Sequence, residues 1–128
     1  MKNPKWLLAD FVIAAHKIVL AEHGGPEGIR DEKMLDSALA RPRNKNAYEP
    51  QSTVFDLAAA YSYGIAMDHP FVDGNKRTAL MAGLVFLDIN KESFSGSEAA
   101  TAAVFESLAA GKFTEEELSR WYQENCGG

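Results

Sequence analysis

The stretch His69, Pro70, Phe71, Val72, Asp73, Gly74, Asn75, Lys76, Arg77 gathers a histidine, a carboxylate, an amide and two cations inside the most apolar part of the chain. Histidine titrates nearest to neutral pH, so His69 could accept a proton from an attacking hydroxyl. Asp73 offers a hard oxygen of the kind that magnesium takes alongside phosphate oxygens. Pro70 disfavours helical geometry at the residue before it, which puts His69 where a helix gives out. Gly74 allows a turn closed to other residues, and Asn75 is a good N-cap for a following helix. A short loop that feeds a helix start presents free N–H groups and the positive end of the helix dipole, and Lys76 and Arg77 add charge there. The ligand that uses all of this is a polyphosphate. Taken singly, each residue has a plainer reading. A histidine at a helix end can be a cap or a satisfied core residue, Asp-Gly-Asn a turn, and Lys76 with Arg77 a solvated face. Phe71, between polar and turn-forming neighbours, points into the core and pins the loop.

The elements that must hold this loop read as helices. From Pro4 to about Glu22, Leu7, Phe11, Ala14, Ala15, Ile18 and Val19 recur at helical steps with Asp10, Lys17 and Glu22 opposite. Gly24, Gly25, Pro26 and Gly28 stop that helix. Asp31 caps a short second helix carrying Met34, Leu35, Ala38 and Leu39, which ends before Pro42, and RPRNKNAYEPQS follows as an exposed loop. Ser52 or Thr53 caps a third helix, apolar on nearly every side from Val54 to Met67. A fourth, from near Asn75 to about Ile89, is apolar likewise. These two buried central helices flank the His69–Arg77 loop. Ser97 opens a fifth helix, and Thr114 with Glu117 forms a capping box for a sixth carrying Leu118, Trp121 and Tyr122. Lys91 to Ser95 alone could make a strand. The expected fold is all-α: a compact single-domain helical bundle over residues 1–128, of about six helices.

Composition narrows the function classes. A chain of 128 residues that is 46% hydrophobic can bury roughly two-thirds of its unfolded surface without staples, which excludes disorder. A net charge of -5 argues against a surface that tracks nucleic-acid backbones. The single cysteine, Cys126, reads as inert tail and forms no internal disulfide, and no apolar run reaches a bilayer's span, so the expected setting is cytoplasmic. His16 and His23 read as surface or boundary packing, and Arg41, Arg43 and Lys45 as solvent-facing loop. Trp121 and Tyr122 read as packing for the last helix.

The string HPFVDGNKRTAL resembles the signature of the Fic/Doc family, whose Fic branch reads HxFx(D/E)GNGRxxR, and the Doc branch is the closer match. Upstream, HGGPEGIRDEKMLDSALARP resembles the Doc connector and second helix, and the likeness extends to the C-terminal TEEELSRWYQENC. The resemblance implies an all-α fold with His69 as general base, Asp73 as magnesium ligand, and Gly74, Asn75, Lys76 and Arg77 as the phosphate-binding turn for ATP. Phe71 becomes the buried anchor. Two departures from the Fic pattern coincide with the Doc branch: Lys76 replaces the second glycine of GNG, and Leu80 the final arginine. A lysine there crowds the pocket in which a Fic enzyme seats the α-phosphate, so adenylyl transfer gives way to γ-phosphoryl transfer. The resemblance then implies a toxin that phosphorylates a threonine of elongation factor Tu, restrained by an antitoxin whose C-terminal segment folds on binding, since no (S/T)xxxE(G/N) inhibitory helix is present. A Fic-like adenylyltransferase and a nucleotide- or partner-binding module without turnover are the alternatives.

Overall fold

The computed structural model describes residues 1–127, which fold into six helices, α1 (Ala9–His23), α2 (Glu32–Tyr48), α3 (Val54–Asp68), α4 (Asn75–Ile89), α5 (Glu98–Ala109) and α6 (Glu115–Glu124). The hub is α3. It packs against α2, α4, α5 and α6, while α1 lies on α4. Residues Leu57 to Ser62, Gly64, Ile65 and Ala66 of α3 are all buried, as an apolar helix without a polar face requires. The small residues among them let neighbours close in. A Cβ on Gly64 would lie 3.3 Å from Ala38 Cα, so α2 crosses at this glycine. Where α3, α4 and α6 meet, Tyr122 donates to Ser62 Oγ (2.7 Å) and Ser62 donates in turn to the Ala79 carbonyl (2.7 Å). Gly83 leaves room for this chain of hydrogen bonds, because a Cβ there would stand 2.2 Å from the Tyr122 oxygen.

The start signals behave as their chemistry dictates. Asp31 accepts from the N–H groups of Lys33 and Met34, Ser97 from Ala100, and Thr53 and Thr114 each form a reciprocal capping box with Asp56 and Glu117. Three expectations need correction. First, α2 does not end before Pro42: it continues to Tyr48 and takes in most of the expected loop RPRNKNAYEPQS. Proline inside a helix costs about 3 kcal/mol, and tertiary contacts override it here. Pro42 is buried with Leu35 and Ala38 on the face toward α3, while Arg41 and Lys45, one turn apart, both reach Glu115 of α6 (2.5 and 3.5 Å). These two are therefore helix residues tied to α6, not a solvent-facing loop.

Second, α1 begins at Ala9 and not at Pro4. The N–H of Lys5 donates to Asn90 Oδ1 (2.9 Å) and that of Leu7 to the Tyr61 hydroxyl (3.1 Å), so the segment before α1 spends its donors on other elements. Third, the buried stripe of α1 is Val12, Ala15, His16, Val19 and Leu20, whereas Phe11 and Ile18 are exposed. A helix with one main neighbour buries a narrow stripe, and the second apolar row is left open. Lys91 to Ser95 forms no strand. Among the described residues only two isolated antiparallel bridges occur, Ile29 with Phe71 and Phe94 with Cys126, so Cys126 is half-buried and paired through its backbone. No helix among the described residues is long and apolar enough to cross a membrane.

Candidate active site

The loop between α3 and α4 is held from three sides. At its start, His69 ends α3 in the left-handed region (φ 48°, ψ 57°), which strains a residue other than glycine. Arg30 compensates: its guanidinium donates to the carbonyl of His69 through Nε (2.7 Å) and to that of Asp68 through Nη2 (2.9 Å), taking up carbonyls that the helix end leaves orphaned. The backbone N–H of Arg30 donates to the Pro70 carbonyl (2.7 Å) and that of Val72 to the Gly28 carbonyl (3.0 Å), so the connector after α1 lies alongside the loop. The His69 ring itself stays exposed. Its Nδ1 lies 3.5 Å from Asn75 Nδ2, at the outer limit for a hydrogen bond, so the tautomer is not fixed by that contact.

In the middle, Phe71 is buried and its backbone is clamped by one side chain: Asn75 Oδ1 accepts from the Phe71 N–H (2.9 Å) and Asn75 Nδ2 donates to the Phe71 carbonyl (2.9 Å). This corrects the expected role of Asn75. The residue before α4 is Gly74, at φ 77°, no side chain caps the helix, and Asn75 is its first residue, reaching backward. The first N–H groups of α4 therefore remain free for an anion.

At its end, Asp73 is exposed and its Oδ1 accepts from the Gly74 N–H (2.8 Å). No group of three or more His, Cys, Asp or Glu side chains suited to a metal occurs among the described residues. An all-protein cage is thus absent there, but a magnesium ion is ordinarily held by one or two carboxylates plus phosphate oxygens and water. Asp73 beside a free helix start fits an ion that arrives with a polyphosphate. Arg77 is exposed and contacts His23 Nε2 through Nη1 (3.3 Å). Lys76 pairs with Glu106 of α5. Both partners of that pair face solvent, where such a bridge contributes about 0–1 kcal/mol, so a polyphosphate can displace the carboxylate. Lys76 and Arg77 also edge a cleft of about 600 Å³ between α4 and α5, lined farther in by Leu80, Leu84, Phe94 and Phe105. On the other side of α4, Arg77, Asp73, Gly74 and His23 line a smaller one of about 230 Å³.

Sequence reasoning missed two residues. Arg30 lies in the connector and carries no local signal. His16 was readable in principle, because it falls in register with Val12, Val19 and Leu20, a polar side chain on an apolar stripe. It is 3% exposed, stacks on Phe71 (centroids 3.8 Å apart, planes within 9°) and meets the Asp73 carbonyl through Nε2 at 2.7 Å.

A model of the Fic/DOC family matches residues 6–87, from before α1 nearly to the end of α4. The chain belongs to the Fic/DOC family. The likeness seen in TEEELSRWYQENC lies outside that match. Among curated proteins, the protein kinase doc of Escherichia phage P1 is 35% identical over 79 residues, 62% of this chain and 63% of that protein. The toxin Doc of Mycolicibacterium smegmatis is 43% identical over 68 residues, 52% of each. The matches thus span less than two-thirds of either relative, and both place this Fic/DOC chain on the Doc side of the family.

Proposed function

We propose that this Fic/DOC chain is a Doc-like toxin that transfers the γ-phosphate of ATP to a threonine of elongation factor Tu and so halts translation in the cytoplasm, under the control of an antitoxin whose C-terminal segment folds on binding. The observation that carries the reading is the loop itself: an exposed imidazole and an exposed carboxylate at the open start of α4, with Lys76 in the position where the Fic signature has glycine. The relatives named as a kinase and as a toxin support it.

Phosphoryl transfer asks mainly for positioning and charge neutralisation, with no covalent intermediate on the protein. The free N–H groups of α4, Lys76 and Arg77 orient and neutralise the phosphates. Magnesium, when bound, supplies further charge compensation, and Asp73 is the residue that would hold it. His69 takes the proton from the threonine hydroxyl as its oxygen bonds to the γ-phosphorus and the bridging oxygen leaves with ADP. Exposure of His69 suits a hydroxyl presented by another protein.

The test is isotopic. Incubation of the purified chain with magnesium, elongation factor Tu and ATP labelled at the γ-phosphate is expected to label the target, and ATP labelled at the α-phosphate is not. Label from the α-phosphate would make the protein an adenylyltransferase, and no transfer from either would make it a binding module; both results overturn the proposal. His69→Ala and Asp73→Ala should each lower transfer by about 10²–10⁴-fold with unchanged helical circular dichroism.

A further inference from the structure

We infer that His16 is a positioning residue for the metal-holding side of the site, an inference that rests on the reading of Asp73 as the magnesium ligand. Packing alone does not account for a histidine here. On the buried stripe of α1 an apolar side chain would fill the space against Phe71 without the cost of desolvating a ring nitrogen. What the imidazole adds is a donor, Nε2–H, aimed at the Asp73 carbonyl 2.7 Å away.

That carbonyl belongs to the peptide unit between Asp73 and Gly74, which is planar and moves as one piece. Its other end, the Gly74 N–H, is bound by the Asp73 carboxylate at 2.8 Å. The unit is thus gripped at both ends, by His16 on the oxygen and by the Asp73 carboxylate on the nitrogen. Glycine at 74, with φ 77°, gives this peptide unusual freedom to rotate. A rotated peptide would turn the N–H away, release the carboxylate and redirect the start of α4. His16 selects one orientation. The carboxylate's second oxygen is seated against Gly25, where an added Cβ would lie 2.5 Å from Oδ2, so the selected orientation is also one the connector accommodates.

The experiment compares wild type with His16→Phe, which keeps the stack and loses the donor, and His16→Gln, which keeps an amide donor of similar reach. Two quantities are read: amide hydrogen exchange at Gly74 in the metal-free protein, and the magnesium concentration that half-saturates γ-phosphate transfer to elongation factor Tu. Loss of a group that orients a metal ligand typically weakens metal binding by 10–100-fold, so H16F should raise the magnesium requirement by about tenfold or more. It should speed Gly74 exchange and leave the KM for the protein target unchanged, with H16Q recovering most of both effects. A magnesium requirement for H16F within about twofold of wild type, or an H16Q no better than H16F, overturns the inference. Should H16F fail to fold, the ring of wild-type His16 decides: nitrogen spectra must show the Nε2–H tautomer, and the Nδ1–H tautomer overturns it. If Asp73→Ala transfers phosphate with unaltered magnesium dependence, the reading of Asp73 falls and the metal-side role with it, while Gly74 exchange still reports whether His16 holds the turn.

Discussion

Asn75 shows how a residue expected to serve one neighbour serves another. Asparagine before a run of apolar residues is a sound N-cap signal, but the side chain turns back and satisfies both backbone groups of Phe71. Its buried place makes the exchange expensive to undo. Asn75→Ala strands a buried donor and a buried acceptor, each costing about 1–3 kcal/mol. Urea denaturation is expected to show a loss of about 2 kcal/mol or more, with the proposed phosphate transfer falling further than stability explains because His69 and Asp73 lie on either side of the clamp. The grouping of His69, Asp73, Gly74, Lys76 and Arg77 in one candidate site was legible because their types are rare together and local in sequence. His16 and Arg30 were not, because their partners are backbone carbonyls on a distant segment, and no spacing rule encodes a contact from α1 or its connector to the loop before α4.

At the scale of elements, the helix starts that carry a capping side chain were the most legible feature, and the end of α2 the least. Asp31, Thr53, Ser97 and Thr114 carry their own capping groups, so a few neighbouring residues suffice to place them. The continuation of α2 through Pro42 goes instead with contacts to other elements, the buried face toward α3 and the pairs with Glu115 of α6. Asp56 links the two kinds of information. Its carboxylate caps α3 through the Thr53 N–H (2.9 Å) and also accepts from the Ser119 hydroxyl of α6 (2.6 Å). Partial burial pushes its pKa up, but the hydrogen bonds from Ser119 and Thr53 and the charge of Lys45 outweigh that, and the net effect is a value below the ordinary 3.8. A depressed carboxyl contributes stability that is complete above the ordinary value and is lost as the pH falls through the lowered one. Acid titration followed by circular dichroism should therefore show a loss of stability beginning below about pH 4. Asp56→Asn should flatten that limb and cost about 1 kcal/mol at neutral pH, the usual loss for a helix cap.

The whole molecule is organised around α3, and its alkaline limit follows from what meets there. Burial holds the phenols of Tyr61 and Tyr122 above the ordinary 10.0, although Tyr61 accepts from the Leu7 N–H and Tyr122 is bonded to Ser62. A raised phenol leaves stability intact below its ordinary value and removes it as the pH climbs above, since only the unfolded chain then ionises freely. Above about pH 10, phenolate absorbance from these two residues should appear together with the loss of helical circular dichroism, and Tyr122→Phe should lessen the steepness of the fall. Two buried central helices were legible from their apolar circumference, and α3 fulfils that reading more fully than α4, whose Leu80 and Leu84 line the open cleft toward α5. The glycine pair that stops α1 has a reach beyond its own turn. Because the Asp73 carboxylate rests where a Cβ on Gly25 would stand, and Gly25 itself sits at φ 119°, a side chain there would strain the backbone and push the carboxylate aside. Substitution in this connector, well outside the signature, thus reaches the candidate site even though the connector's own chemistry looks dispensable.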